Sequence, residues 1–405
     1  MDSNTVFLIL VGILFFLAIS DLIVGVSNDA VNFLNSAIGS KAAPFRIIMI
    51  VAAVGVLVGA TSSAGMMEIA RKGIFHPEYF FFREIIIVFL AVMITDVILL
   101  DLFNTLGLPT STTVSIVFEL LGAAVGIAVV YYLRGNVIEI DGVSKVGAVG
   151  DYINNQKALE IILGILLSIV VAFTAGAIVQ WISRLIFTFK YEKMLPYLGG
   201  IWSGMALTAI TYFILIKGAK GASFMSDNIN DYILNNASMI LLFSFIGWTI
   251  IFQALTLLIK KNVLKIIVLV GTFALAMAFA GNDLVNFIGV PIAGLKSFQF
   301  FEASGGNANE FLMGALGGQK VKTEWYLLVI AGLIMVVTLW ISRKARSVVG
   351  TTLDLSRQSE GDERFTSNGL SRGLVRLGRN FSLFFGALTP KPVKKAIRSE
   401  EHTSE

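Results

Sequence analysis

The chain has 405 residues, of which 56% are hydrophobic and 14% are charged, and its formal net charge is +4. Soluble domains carry about 25% charged residues, so this composition excludes an ordinary soluble protein and predicts an integral membrane protein. The absence of cysteine excludes disulfides, a thiolate metal site and a cysteine nucleophile. No basic segment precedes the first apolar run, so we expect no cleaved signal peptide.

Nine apolar runs are each long enough to cross a bilayer as a helix, which takes about 20 residues. In chain order they are Val6–Val26, Phe45–Gly65, Glu84–Asn104, Thr112–Leu133, Ala158–Ile186, Pro196–Lys217, Asn236–Ile259, Val263–Gly281 and Trp325–Ile341. The sequence therefore predicts an all-α polytopic membrane protein.

A polar hexad after the first run returns after the eighth. The first hexad, Asn28–Phe33 (NDAVNF), and the second hexad, Asn282–Phe287 (NDLVNF), match at five of six positions. Polar groups at membrane depth are costly and usually functional, so the repeat predicts one site built from two halves of a duplicated protein. The segments Ser27–Ser40 and Asn282–Leu295 are too short to span, and we expect re-entrant pieces or broken helices there.

Basic residues predict how the chain is oriented. Lys and Arg concentrate after the first, fifth and seventh runs and in the tail from Arg343, and such connections are usually cytoplasmic. This predicts an outside N-terminus in the cell (inner) membrane, although the outer connection 66–83 is also basic. The two hexads then have opposite orientations, which is the topology of an inverted repeat.

The expected domain organisation follows from the repeat. We expect a first transmembrane repeat at 1–190, a connecting span and loop at 191–235, an incomplete second repeat at 236–341 and a basic cytoplasmic region at 342–397. Residues 398–405 spell RSEEHTSE, the translation of a widely used sequencing adapter. We therefore exclude them and expect the natural protein to continue beyond Ile397.

The basic region contains one periodic segment. Leucines and phenylalanines from Leu370 to Leu388 recur at helical spacing, with arginines between them. This pattern predicts a basic amphipathic helix that lies on the anionic inner leaflet or docks on a further domain.

Three motifs together resemble the Pit-type inorganic phosphate transporter family, the phosphate permeases. They are the two hexads, the run Pro109–Thr113 (PTSTT) and residues 68–74 (EIARKGI). That family carries Gly-Ala-Asn-Asp-Val-Ala-Asn in each of two inverted repeats and Pro-x-Ser-Thr-Thr later in each. The resemblance covers residues 5–341 and implies phosphate import with Na⁺ or H⁺ as the coupling ion and no other cofactor.

The chain departs from the family pattern near the fourth run. Val114 stands where His is common, and Phe118 and Glu119 stand where small residues are common. The acid often found in the helix after the first hexad is missing between Arg46 and Met67. These departures leave the coupling ion open.

The candidate site residues are those that suit an anion and a hard cation. A helix N-terminus offers N–H groups to an anion, hydroxyls and amides can donate, and carboxylates with amide oxygens can hold Na⁺. The predicted substrate-binding residues are Asn28, Asp29, Asn32, Ser111, Thr112, Thr113, Asn282, Asp283 and Asn286. If sodium is the coupling ion, the predicted metal ligands are Asp29, Asn32, Asp283 and Asn286. Ordinary helix capping is the alternative for these residues.

Acids in or near the third and fourth runs could serve coupling. Asp96, Asp101 and Glu119 are the candidates, and an unpaired charge at the depth of Glu119 would cost several kcal/mol. We expect Glu119 to be protonated, to take part in coupling or to have a partner within the bundle.

The leading interpretation is a secondary phosphate transporter, because the chain has no Walker A motif through which ATP could drive it. A sulfate permease of the same fold and a phosphate-sensing membrane scaffold remain alternatives. An enzyme is not expected, since the sequence lacks His-Glu-x-x-His, Gly-x-Ser-x-Gly and Cys. The expected partners are inorganic phosphate and the lipid bilayer, without nucleic acid, and a homodimer is left open.

Overall fold

A computed structural model describes residues 3–63, 74–140, 143–187, 191–218, 227–258, 262–318, 324–355 and 369–388. The chain forms two units, one ending at Leu355 and one beginning at Ser356. In the second unit, the described residues form the helix α13, Gly369–Leu388, at the place where the periodic segment predicts one.

The first unit is built from helices. They are α1 (Ser3–Gly39), α2 (Phe45–Ser62), α3 (Phe82–Leu106), α4 (Thr112–Arg134), α5 (Asn155–Phe187), α6 (Tyr191–Tyr212), α7 (Asp227–Asn235), α8 (Ala237–Leu258), α9 (Val263–Ser304), α10 (Gly314–Gly318), α11 (Trp325–Ile341) and α12 (Arg343–Leu355). Between α4 and α5, the strands β1 (Val137–Ile140) and β2 (Val143–Val146) form an antiparallel hairpin that the sequence analysis did not predict.

The helices confirm the predicted all-α multi-pass fold. Within the described residues, eight helices are long and apolar enough to cross a membrane, and the bent pair α11 and α12 makes a ninth candidate. Each of the nine overlaps one of the nine predicted apolar runs.

The predicted helix breaks at the hexads are wrong. α1 runs through the first hexad for 37 residues in all, and α9 runs through the second for 42. At 1.5 Å per residue they are about 55 and 63 Å long, well beyond the roughly 30 Å hydrocarbon core. The helices continue because Phe33 and Leu34 of α1, and Phe287 and Ile288 of α9, are buried in one apolar cluster.

α1 and α9 pack side by side in opposite directions. Phe7 lies 5.8 Å from Phe301 between ring centroids, and Phe33 lies 5.3 Å from Phe279, so the start of each helix meets the end of the other. The two hexads are therefore neighbours, the first in the C-terminal third of α1 and the second near the middle of α9. This is the arrangement that an inverted repeat requires, and the symmetry of the remaining helices stays a prediction.

Two glycines allow the helices around the hexads to approach closely. A Cβ added to Gly25 of α1 would lie 2.1 Å from the ring of Phe287, and one added to Gly59 of α2 would lie 2.1 Å from the carbonyl oxygen of Met277. Such distances are impossible for real atoms. Small residues at membrane helix contacts have this effect generally, and here they bring α1, α2 and α9 together.

α12 covers one end of the hexad region. It bends by 66° from α11 at Ser342, whose hydroxyl lies 2.7 Å from that of Ser27. Lys344 Nζ forms an ion pair with Asp101 Oδ1 of α3 at 2.5 Å. The region that the sequence assigns to the cytoplasm therefore begins as a helix packed on α1 and α3.

Candidate functional site

The two hexads meet at the N-terminus of α4. The Thr113 hydroxyl donates to Asp283 Oδ1 at 3.2 Å and accepts from Asn286 Nδ2 at 2.9 Å. The neighbouring Thr112 is buried and lies close to Asp29. The start of α4 thus contacts the second hexad through Thr113 and lies beside the first, so the structure brings the two hexads and the run Pro109–Thr113 together.

In the first hexad, Asn28 holds the loop before α4 against α1. This buried amide donates to Asn104 Oδ1 at 2.9 Å and to the Leu108 carbonyl at 3.0 Å, and it accepts from the Thr110 N–H at 2.7 Å. Asn104 is held in turn by Val24, whose carbonyl oxygen it reaches at 2.7 Å. Both amide hydrogens of Asn28 are used, so its contribution to a bound anion would come through the loop that it positions.

In the second hexad, three donors converge on one carboxylate oxygen. Asn282, Asn286 and Thr113 donate to Asp283 Oδ1 at 3.1, 3.3 and 3.2 Å. Asn282 is exposed, whereas Asn286 is buried. This network fixes the Asp283 carboxylate beside the start of α4.

The Asp29 carboxylate is less well satisfied. Its Oδ1 accepts from Asn32 at 3.4 Å, while its Oδ2 is buried without a hydrogen-bond partner among the described residues. Of the other acids, Asp283 has the largest electrostatic effect on it. Two carboxylates close together repel each other, so the pair presents oxygen atoms that a cation or a proton would stabilise.

The N-terminus of α4 has the features of an anion site. Ser111 caps the helix by accepting from the Val114 N–H at 3.3 Å, so the capping alternative holds for this residue. A cap of this kind leaves N–H groups of the first turn without helical partners, here those of Thr112 and Thr113. They carry the positive end of the helix dipole toward the hexads.

Three further acids form a cluster beside this site. Ser115 Oγ lies 2.5 Å from Asp96 Oδ1 and 2.8 Å from Glu119 Oε1, so Glu119 does have a partner within the bundle. Asp21 of α1 is fully buried against Asp96. Asp21 is absent from our sequence-based candidates, although an acid inside an apolar run is itself a functional signal.

Other charged residues lie away from this site. Asp101 pairs with Lys344 at the surface, and His76 lies outside the long helices and contacts Glu78 at 3.1 Å. Most of the motif 68–74, including Arg71 and Lys72, lies outside the described residues. Among those described, no group of three or more His, Cys, Asp or Glu side chains converges in a way that would hold a metal ion.

Two relatives match about three quarters of this chain. A protein of Thermococcus kodakarensis with the provisional name phosphate permease is 25% identical over 312 residues, which cover 76% of this chain and 68% of that protein. A protein of Pyrococcus furiosus with the same provisional name is 25% identical over 323 residues, covering 76% and 67%.

A solved structure and a family model extend the comparison. The structure, named the sodium-dependent phosphate transporter, matches with a TM-score of 0.52 at 19% identity and covers 91% of this chain and 90% of its own. At that identity the likeness shows the fold alone. Residues 25–359, which include both hexads, match the phosphate transporter family. Since that match spans most of the chain, the protein belongs to the phosphate transporter family.

Proposed function

We propose that this protein is a secondary transporter that imports inorganic phosphate across the cell membrane together with a cation. The observation that carries the proposal is that Thr113 donates a hydrogen bond to Asp283, while the adjacent Thr112 lies close to Asp29. It joins an anion-binding helix end to a pair of cation-binding carboxylates. Family membership and the names of the relatives support phosphate as the substrate.

Phosphate would bind at the first turn of α4. The free N–H groups of Thr112 and Thr113 point at the anion from the positive end of the helix dipole, with Ser111 at the exposed edge. Asn32 and Asn282 are also exposed, and their amides can turn toward a ligand. Such a site replaces the hydration shell of phosphate without a full positive charge on the protein.

The cation would bind between the hexads. Asp29 and Asp283, with the amide oxygens of Asn32 and Asn286, provide the hard oxygen ligands that Na⁺ needs, and no sulfur or imidazole is required. Because the two carboxylates repel phosphate, a bound cation removes a barrier to anion binding. Loading therefore becomes cooperative, and the coupling is reciprocal. The fold likeness to a protein named sodium-dependent agrees with this role.

The orientation belongs to the same proposal. Charge counts in the connections place the N-terminus outside and the region after 342 in the cytoplasm. Transporters of this kind bind at the midplane between repeats and expose the site alternately to each side. The antiparallel pair of α1 and α9 would carry the site, with import driven by the inward gradient of the cation.

Sulfate is the competing substrate. Phosphate differs from sulfate at neutral pH mainly in keeping a P–OH group, which needs an acceptor. Asp29 Oδ2, buried without a partner, is such an acceptor beside the start of α4. This favours phosphate, since sulfate would offer it no hydrogen.

Equilibrium binding of labelled phosphate to the purified protein, at increasing Na⁺ and with unlabelled sulfate as competitor, tests the proposal. We expect sodium to tighten phosphate binding, Asp29→Asn to abolish that sodium response, and sulfate to compete weakly. Asp101→Asn is the matched control, because this acid is paired at the surface with Lys344. Absence of phosphate binding, or equal competition by sulfate, would overturn the proposal.

Sodium-driven uptake by liposomes containing the same protein then tests import itself. Phosphate that binds but never crosses the membrane would favour a phosphate-sensing scaffold instead.

A further inference from the structure

Three acids outside the hexads share a buried space between α1, α3 and α4. Asp21 and Asp96 are fully buried, and Glu119 is half-buried. Among the described residues, four carboxyl oxygens of this cluster find no hydrogen-bond partner: both of Asp21, Oδ2 of Asp96 and Oε2 of Glu119. Leaving several buried carboxylate oxygens unpaired is among the costliest arrangements in a protein, so the cluster calls for a ligand.

The hydrogen-bond contacts within the cluster indicate that it must hold protons. The Ser115 hydroxyl touches Asp96 at 2.5 Å and Glu119 at 2.8 Å, but a hydroxyl has one hydrogen and can donate to only one of them. The other contact needs a hydrogen on the carboxyl group.

Asp21 also lies beside Asp96. Two buried carboxylates side by side repel each other unless one carries a proton or a cation lies between them. With one hydroxyl hydrogen for the two Ser115 contacts, at least one of the acids must carry a proton if protons alone satisfy the cluster.

Basic side chains do not supply the missing charge in the part of the chain that is described. Its ion pairs join His76 to Glu78, Lys157 to Glu160, and Lys344 to Asp101, and none includes a member of the cluster.

The charged groups that face the cluster are themselves acids. They are Asp29 on α1 and, beyond it, Asp283 on α9. On the α12 side, Lys344 is engaged by Asp101 of α3. Among the described residues the three cluster acids do not form a metal-binding group either, so protons are the ligand that these residues favour.

We propose that Asp21, Asp96 and Glu119 form a proton-binding site, distinct from the hexads, that takes up and releases protons during the transport cycle. The inference deepens the proposed function, on which it rests, by placing proton coupling at named residues. Glu119 lines a cavity of about 490 Å³ that also borders Thr110 and Ser111, the loop beside the phosphate site. That cavity gives protons a route to the cluster.

The transfer needs only the residues present. A hydronium ion in the cavity gives a proton to a Glu119 oxygen and leaves a water molecule. Glu119 then passes a proton to the Ser115 oxygen while the Ser115 hydroxyl hydrogen moves to Asp96, so Ser115 keeps one hydrogen and Glu119 returns to its earlier state. The net change is one proton gained by the pair of Asp96 and Asp21.

The acid cluster lies on the same helices as the proposed phosphate site. Ser115 lies two residues after Thr113 on α4, and Asp21 lies about two turns before Asp29 on α1. A change of charge in the cluster therefore acts on the same two helices that hold the hexad contacts, and phosphate binding can sense the protonation state.

Infrared difference spectroscopy tests the site directly, since a protonated carboxyl group has a carbonyl band that a carboxylate lacks. We expect the full chain at neutral pH to show this band, and Asp21→Asn, Asp96→Asn and Glu119→Gln each to reduce it. Asp101→Asn, on the same helix as Asp96, is the control that should leave it unchanged. A band absent from the unmodified protein, or unaffected by all three variants, would overturn the inference.

Uptake measurements separate this inference from the proposed function. In liposomes we expect an inward proton gradient to accelerate phosphate uptake, and Glu119→Gln to lose that acceleration while still binding phosphate. Glu119 is half-buried beside the cavity, so this variant perturbs folding least, and thermal unfolding checks each variant. A carboxyl band in a protein that never binds phosphate would refute the proposed function alone. An acceleration that survives in Glu119→Gln would refute the proton site alone.

Discussion

The two hexads have nearly the same sequence and different surroundings. Asn28 is fully buried and makes three hydrogen bonds to α3 and the loop before α4, whereas Asn282 is exposed and bonds only to its neighbour Asp283. The two aspartates differ in the opposite direction, because the second is the better hydrogen-bonded one. Asp283 receives three donors, while Asp29 has a buried oxygen without one.

This contrast shows that a repeated motif need not mean a repeated role. Asn28 meets the loop before α4, and that loop belongs to the first half of the chain. The second hexad instead contacts Thr113, in the first turn of α4. One helix N-terminus thus serves both hexads, which makes the first a positioning element and the second a more accessible one.

The largest expected effect is a difference in stability loss between substitutions of the two asparagines that begin the hexads. Asn28→Ala removes three hydrogen bonds and strands Asn104 in the interior, so we expect it to lower the free energy of unfolding by about 2–3 kcal/mol. Asn282→Ala, at an exposed position, should change it by less than about 0.5 kcal/mol. Thermal unfolding in one detergent compares them, and equal losses would show that the two environments are alike.

The next effect concerns the second acid. Asp283→Asn keeps the shape but replaces charge-assisted hydrogen bonds, worth roughly 1.5–3 kcal/mol, by neutral ones. We expect the sodium concentration that half-saturates phosphate binding to rise by about tenfold or more. Sodium titration of phosphate binding measures it. An unchanged sodium response would mean that the cation relies on Asp29 alone.

A smaller effect distinguishes the role of Thr113, which bridges Asp283 and Asn286, from that of Ser111, which caps α4. Thr113→Val removes the hydroxyl between Asp283 and Asn286, and a lost hydrogen bond of about 1 kcal/mol should weaken phosphate binding by roughly fivefold to tenfold. Ser111→Ala should lower stability by about 1 kcal/mol through the lost cap with a smaller effect on affinity. Binding and unfolding are measured on both variants, and the reverse pattern would place the anion at Ser111.

The smallest effect concerns α12, at whose start Ser342 contacts Ser27 directly before the first hexad. Lys344→Met breaks the ion pair with Asp101. Both side chains of this pair are nearly half exposed, so we expect the free energy of unfolding to fall by at most about 1 kcal/mol. The loss should shrink at high salt because of screening. Unfolding at two salt concentrations tests this, and a larger, salt-independent loss would mean that the pair closes the site.

Hydropathy and motif spacing predicted much of this protein, for reasons that can be stated residue by residue. A span must bury about 20 apolar residues whatever its neighbours, so the nine runs were visible. Polar residues at depth are conspicuous against that background, which exposed the hexads and Glu119. Asp21 carried the same signal inside the first run but lacked a motif to mark it.

The membrane class, the spans, the duplicated hexads and the family resemblance could be read from the sequence, because each depends on composition or on residues close together along the chain. The continuation of α1 and α9 through the hexads could not, since their helical path is stabilised by Phe33 and Phe287 packing between distant segments. Only the tertiary structure placed Asn28 in the interior, joined Thr113 to the second hexad and brought Asp21 to Asp96. Those contacts link residues far apart along the chain, and no local pattern records them.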